Sequence, residues 1–160
     1  MRHSAITLLS VLALLMVAAR VPAAAPDGDV DRVLAFDEAP PGVVFEVVGG
    51  DPDALNAIIP RVSGYAERLR ARFPDLPVAV VTHGAEQFSL LASEENSYTE
   101  LHAQIRALTG DGGVEVSVCG THASWRDNTP EDFPDYVDVA VAAPAKINDY
   151  RALGYIVILF

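Results

Sequence analysis

The chain has 160 residues, of which 51% are hydrophobic, and it carries a formal net charge of −11 at pH 7. This length and apolar content suit a single domain with one core. The acidic balance and the lack of a basic stripe argue against binding to nucleic acid. Because Cys119 is the single cysteine, an intrachain disulfide and a two-cysteine redox motif are excluded.

The first 25 residues have the pattern of an export signal. Arg2 and His3 precede an uncharged, mostly apolar run over residues 4–19, and small residues follow Arg20. The run is shorter than the ~20 residues that a membrane-spanning helix needs. We therefore predict a signal peptide over residues 1–25, a periplasmic or secreted protein, and no stable membrane insertion after cleavage. Loss of two arginines and no acidic residue would take the net charge from −11 to about −13.

The rest of the chain alternates between strand-like and helix-like segments. Residues 26–42 are rich in Pro, Gly and Asp and predict an irregular lead-in, and residues 43–160 predict a single domain. β-Branched and apolar runs predict five strands, at residues 43–48, 78–82, 114–118, 137–142 and 155–160.

Amphipathic spacing and capping signals place helices between these strands. An apolar stripe from Leu55 to Phe73 predicts a helix, which Pro60 should kink or split. Further helical segments are predicted around residues 88–91, 97–108 and 144–153, with a short turn or helix from Thr129. The alternation favours a three-layer α/β/α sandwich around a mainly parallel five-stranded sheet.

Three polar loops follow the first three predicted strands. They contain Gly49-Gly50-Asp51, Thr82-His83-Gly84 and Cys119-Gly120-Thr121-His122. Ligands of open parallel sheets bind at the carboxyl ends of the strands. If the first three strands are neighbours, these loops converge on one site.

Cys119 is the main candidate for chemistry at that site. A cysteine reacts as its thiolate, which a helix N-terminus or a nearby cation stabilises. A short helix opening at residues 120–124 would direct backbone N–H groups at the sulfur, and His122, Arg126 and Lys146 are candidate cations. The alternative is an inert thiol that packs as a small hydrophobic group at the end of a buried strand. Both interpretations stay open at this stage.

The histidines carry weaker signals. His83 is interpreted as a loop residue that bonds to backbone or orients the site, His122 as a thiolate partner, and His102 as an exposed helix residue. A metal site formed by His83, Cys119 and His122 lacks the usual ligand spacing, so no metal is predicted. No dinucleotide, phosphate-loop or Gly-x-Ser-x-Gly motif is present, so no cofactor is predicted. Trp125 is expected to serve packing.

Several segments, in this order, resemble the DsrE/DsrF-like family of sulfur-relay proteins over roughly residues 43–158. The most specific segments are Val118-Cys119-Gly120-Thr121 and Leu153-Gly154-Tyr155-Ile156. The resemblance implies a flavodoxin-like α/β/α sandwich that commonly assembles as a homo-oligomer. It also implies that Cys119 accepts sulfane sulfur and passes it on as a persulfide. The known relay members work in the cytoplasm, whereas this chain is predicted to be exported.

Two hypotheses about function follow. In the first, the protein is an exported sulfur carrier in which Cys119 bears the persulfide, and Gly120 and Thr121 supply N–H or O–H donors to the sulfur. His122, His83 and Gly84 would line this site, and its partners would be sulfur donor and acceptor proteins or small sulfane-sulfur compounds. In the second, the protein is a non-catalytic oligomeric module that binds a ligand or partner, and Cys119 is structural.

Overall fold

The computed structural model describes residues 26–160, so the predicted export signal lies outside the described residues. Five α-helices and five strands alternate along these described residues. The strands are β1 (Val43–Val47), β2 (Val78–Thr82), β3 (Glu115–Cys119), β4 (Asp138–Ala140) and β5 (Ile156–Leu159). The helices are α1 (Pro26–Leu34), α2 (Ala54–Arg72), α3 (Thr99–Thr109), α4 (Gly120–Ser124) and α5 (Ala143–Ala152). Short 3-10 segments occupy Ala85–Leu90, Ala92–Glu94 and Pro130–Asp132.

The five strands form one parallel sheet in the order β4-β3-β2-β1-β5. The sheet confirms the predicted α/β architecture with a five-stranded parallel sheet. Its three central strands are consecutive in the chain, and the condition for their polar loops to converge is therefore met. β2 is buried along its whole length, as expected for a strand that is covered on both faces.

Helices cover the two faces of the sheet unequally. Residues of α1, α2 and α3 pack with Val43, Phe45 and Val47 of β1 in the larger core. The smaller core joins α5 to alternate strand residues, including Val44 of β1 and Cys119 of β3. Cys119 therefore lies on the face that α5 covers. Within residues 26–160, no helix combines the length and apolarity that crossing a membrane requires.

One local prediction differs from the structure, and one of the two alternatives predicted at Pro60, the split, is excluded. The lead-in predicted for residues 26–42 contains α1, because Val30 and Val33 are fully buried in the larger core. Its Asp27 carboxylate accepts the Tyr65 hydroxyl of α2 at 2.5 Å. The helix α2 continues through Pro60 without a split, since the buried stripe from Leu55 to Leu69 packs against the core on both sides of the proline.

The prediction that His102 is exposed is wrong. Its side chain is fully buried between α3 and two loops. Nε2 lies 2.9 Å from the Ser89 carbonyl oxygen and Nδ1 lies 2.6 Å from the Tyr136 hydroxyl. Because a carbonyl oxygen only accepts, Nε2 carries the proton and Nδ1 accepts from the tyrosine. This satisfied pair of hydrogen bonds lets a polar ring occupy the core.

The environment of Tyr150, on the sheet face that α5 covers, predicts how the stability of the protein changes at high pH. Burial raises the pKa of Tyr150 to about 12, and the nearby Glu115 carboxylate adds to the rise. An unfolded tyrosine titrates near ~10, so the stability from the neutral phenol is complete below that pH and is lost as pH rises toward about 12. Between about pH 9 and about pH 12, the wild type should lose on the order of 2 kcal/mol more unfolding free energy than Tyr150→Phe. Urea denaturation at both pH values measures this difference, and equal losses in the two proteins would contradict the assignment.

Candidate functional site at the carboxyl edge of the sheet

The sulfur of Cys119 lies between the first turns of two helices. Cys119 ends β3 and caps α4, and its Sγ accepts hydrogen bonds from the backbone N–H groups of His122 and Ala143, each at 3.4 Å. Ala143 is the first residue of α5, a ten-residue helix whose positive end therefore faces the sulfur. The side chain is 4% exposed. The sulfur thus accepts two backbone donors at helix starts, and such bonds become stronger when the acceptor is charged.

The donors to this sulfur differ from those predicted. Thr121 directs both its backbone N–H and its hydroxyl to the Val141 carbonyl oxygen, at 3.0 and 2.8 Å. Gly120 lies against β4, where a β-carbon would come within 3.0 Å of the Ala140 carbonyl oxygen. These two residues therefore anchor α4 to the end of β4. The prediction that they donate to the sulfur is wrong.

The His122 ring is part of an aromatic group beside the sulfur. It packs edge-on against Phe88, with centroids 5.0 Å apart, and against Trp125 at 5.5 Å. Its Nδ1 lies 2.9 Å from the His83 carbonyl oxygen and therefore carries the proton. The ring links the loops after β2 and β3, while the contact of this residue with the sulfur is made by its backbone N–H.

The His83 side chain belongs to a charged group at the end of β1. Its Nε2 lies 3.0 Å from Oε1 of Glu46, and Arg151 of α5 lies 3.5 Å from the other oxygen of that carboxylate. Both His83 and Glu46 are partly buried. His83 thus contributes its carbonyl to the aromatic group and its ring to a hydrogen bond with Glu46 next to the site.

Gly84 is held by a buried carboxylate that the sequence analysis did not single out. Glu86 is fully buried, and its oxygens accept Thr82 Oγ1 at 2.5 Å, Gly84 N–H at 2.8 Å and Gly49 N–H at 2.9 Å. Three donors thus satisfy the oxygens of this buried side chain. The loops after β1 and β2 are thereby fixed to each other.

Gln87, the next residue, holds the backbone of Cys119. Its buried side-chain amide accepts the Cys119 N–H at 2.9 Å and donates to the Cys119 carbonyl oxygen at 3.4 Å. The β2–β3 ladder ends one residue earlier, at the pair Thr82 and Val118. Gln87 therefore occupies the place of the next β2 peptide group.

The other two candidate cations, Lys146 and Arg126, contact groups other than the sulfur. Lys146 binds Glu115 at 2.5 Å and Asp138 at 2.7 Å, and its hydrogen bond holds the pKa of Asp138 below the usual value. The Lys146 ammonium group is therefore paired with Glu115 and Asp138. The Arg126 guanidinium lies 4.0 Å from the centroid of the Phe88 ring. Among the described residues, no group of three or more His, Cys, Asp or Glu side chains is arranged to hold a metal ion.

Three contacts at this site could not be predicted from the sequence, because the residues that make them form no periodic pattern and no motif. Glu86 and Gln87 look like surface residues of a short polar segment, and their burial depends on three separate strand ends. Ala143 contributes only a backbone N–H, which any residue except proline would supply. The Ala142-Ala143-Pro144 sequence does indicate a helix start, because proline is favoured in a first turn.

The fold has counterparts among solved structures. No family model matches the sequence, and no curated protein matches it. A protein of unknown function, MTH1491 from Methanobacterium thermoautotrophicum, is similar with a TM-score of 0.59 and 22% identity, over 74% of this chain and 97% of that one. The ychN protein from E. coli is similar with a TM-score of 0.51 and 15% identity, over 74% and 99%. Both have the DsrE/DsrF-like fold, so these likenesses assign that fold to the chain.

The Gln87 contact predicts a large loss of stability on substitution. Gln87→Leu would leave the Cys119 N–H buried without a partner, while the Cys119 carbonyl keeps its bond within α4, and this should cost about 2 kcal/mol of unfolding free energy. Gln104→Leu on α3 is the matched control, because the Oε1 atom of Gln104 has no partner in the described part of the chain and its Nε2 donates only to the exposed Glu100 carboxylate. The control should change stability by less than about 0.5 kcal/mol. Urea denaturation of both variants checks the difference, and equal effects would contradict the role of Gln87.

The contact between the loops after β1 and β2 gives a second pair of variants, one to test the contact and one as its control. A β-carbon at Gly84 would overlap the Gly49 carbonyl oxygen and Glu86 Oε2, whereas a β-carbon at Gly50 would meet nothing within 4 Å. Gly84→Ala should therefore destabilise the protein by about 3 kcal/mol, since backbone atoms must shift. Gly50→Ala should stay within about 0.5 kcal/mol of the wild type. Thermal unfolding of the pair measures this, and a tolerated Gly84→Ala would show that the loops are not held together as described.

Proposed function

We propose that this protein is an exported sulfur carrier that holds sulfane sulfur as a persulfide on Cys119. The observation that carries the proposal is the pair of backbone N–H groups, from His122 and Ala143, directed at the only sulfhydryl of the chain. The DsrE/DsrF-like fold supports it at the level of the family, in which sulfur relay occurs. The position of Cys119 at the carboxyl end of a central strand is also where parallel sheets place ligands.

The reaction needs no external oxidant. The Cys119 thiolate attacks the sulfane sulfur of a donor such as thiosulfate, a new S–S bond forms, and the old S–S bond breaks. The electron pair of the broken bond leaves with sulfite, and the terminal sulfur of the persulfide carries the negative charge. An acceptor thiolate then attacks this terminal sulfur, takes it, and returns Cys119 to its thiolate.

Each neighbouring group has a place in this proposal. The N–H groups of His122 and Ala143 stabilise the negative charge before and after transfer, because charge-assisted hydrogen bonds are stronger than neutral ones. Gln87 fixes the Cys119 peptide, and Gly84 and His83 fix the adjacent loop. Donors and acceptors, whether proteins or small sulfane-sulfur compounds, would meet the protein in the periplasm or outside the cell.

The alternative function is a non-catalytic oligomeric module that binds a ligand or partner. Three observations favour it. Cys119 is 4% exposed, and four surface grooves of 410 to 1130 Å³ are lined by other residues. Large apolar side chains that are exposed on the single chain, as at an interface between copies, include Val48, Trp125, Val141, Leu153 and Leu159. In this alternative the sulfur only satisfies two N–H groups.

Intact-mass analysis after incubation with thiosulfate or polysulfide distinguishes the two functions. For a carrier, the mature protein gains the mass of one sulfur atom, a dithiol reductant removes it, and Cys119→Ser never gains it. The burial of Cys119 predicts alkylation slower than that of a free cysteine, so long incubations belong in the design. A wild type that gains no sulfur under conditions in which iodoacetamide does label Cys119 would refute the carrier and leave the binding module.

A further inference from the structure

Arg126 is unusual among the basic side chains of the described residues. Within residues 26–160, eight of the nine arginine and lysine side chains bind a carboxylate or a backbone carbonyl group, and Arg126 binds neither. Asp127 follows it in the chain, but no carboxylate of the described part lies within the 4.0 Å of an ion pair with Arg126. The eight others are Arg32, Arg61, Arg68, Arg70, Arg72, Arg106, Lys146 and Arg151.

The position of this guanidinium links it to the sulfur. Arg126 follows α4, the helix that Cys119 caps, and its guanidinium carbon lies 4.0 Å from the Phe88 ring centroid. The Phe88 ring packs edge-on on His122 at 5.0 Å, and the His122 N–H is bonded to the sulfur. Stacking on Phe88 holds the cation next to the aromatic group of the site, and Arg126 itself is exposed.

An anionic substrate would have to approach a protein of negative net charge. The chain carries a net charge of −11, which repels anions on approach. An arginine whose charge is not offset by a bound carboxylate presents a planar set of donors suited to oxyanions. Its attraction acts over roughly 10 Å at moderate salt, and the Phe88 ring on which it stacks has its centroid 5.0 Å from that of His122.

We propose that Arg126 is a specificity-determining residue that selects small anionic sulfane-sulfur donors, such as thiosulfate or polysulfide, for Cys119. This inference rests on the proposed function, since it names the class of substrate for that site. It favours a small anion over a donor protein, because the local attraction comes from one guanidinium rather than from an extended basic surface.

Trp125 provides a reporter for this role that does not depend on sulfur chemistry. It is the only tryptophan in the chain, is 76% exposed and directly precedes Arg126. Iodide, an anion, and acrylamide, which is neutral, both quench exposed tryptophan. If Arg126 concentrates anions, the ratio of the iodide to the acrylamide quenching constant should fall about twofold to threefold in Arg126→Gln at low ionic strength. High salt should remove most of the difference.

Arg72→Gln is the matched control. Arg72 also stacks on a phenylalanine, with its guanidinium carbon 4.5 Å from the Phe73 ring centroid, but it lies at the end of α2. The control loses the same charge and should keep the wild-type quenching ratio. If Arg126→Gln also keeps that ratio, or if Arg72→Gln lowers it equally, Arg126 does not attract anions locally and the proposal is wrong.

A second pair of reagents extends the test to the sulfur itself. Iodoacetate and iodoacetamide alkylate thiols with the same leaving group but differ in charge. The ratio of their rate constants at Cys119 should fall about threefold in Arg126→Gln and stay unchanged in Arg72→Gln. If both ratios change as expected but thiosulfate adds no sulfur, the anion site stands and the sulfur-carrier function fails. If sulfur is added at equal rates to wild type and Arg126→Gln, the carrier stands and the role of Arg126 fails.

Discussion

The arrangement of the site depends on two adjacent buried side chains, Glu86 and Gln87. The first joins the loops after β1 and β2 through Gly49 and Gly84, and the second binds the Cys119 peptide at the end of β3. Without them, three strand ends would present polar backbone groups that the sheet ladder no longer pairs. A buried carboxylate is costly unless its charge is fully bonded, and here three donors meet it. The short segment Ala85–Leu90 therefore determines how the three loops converge.

The position of the sulfur follows from this constraint and from the order of the sheet. β3 lies between β2 and β4, so Gln87 fixes Cys119 from one side while the chain leaving β4 passes on the other. That chain turns into α5 at Ala143 and returns across the sheet face toward β5. The first N–H of α5 then points at the sulfur. A ten-residue helix and a side-chain amide, distant in the sequence, thus jointly set the environment of one thiol.

Features set by local interactions were predicted from the sequence, whereas features set by contacts between residues distant in the chain were not. The strands, the parallel sheet and the position of Cys119 at a strand end were predicted, because apolar runs and their spacing record local burial. The donors to the sulfur were not, because Ala143 is 24 residues from Cys119 and its side chain is irrelevant. The burial of His102 depended on partners at Ser89 and Tyr136, which no helical pattern reveals. α1 was missed because proline, glycine and aspartate suggested a loop while two valines supplied its buried face.

Folding and the proposed sulfur chemistry both depend on the same two hydrogen bonds at Cys119. The N–H groups of His122 and Ala143 belong to the first turns of α4 and α5, where helices lack internal acceptors. A neutral sulfur satisfies them weakly, and an anionic sulfur satisfies them better because the acceptor is charged. The contacts that satisfy the helix starts are therefore the same ones that the proposed persulfide chemistry would use. A serine in place of Cys119 preserves an acceptor for both N–H groups and removes the sulfur chemistry, so it separates the structural role of this position from the chemical one.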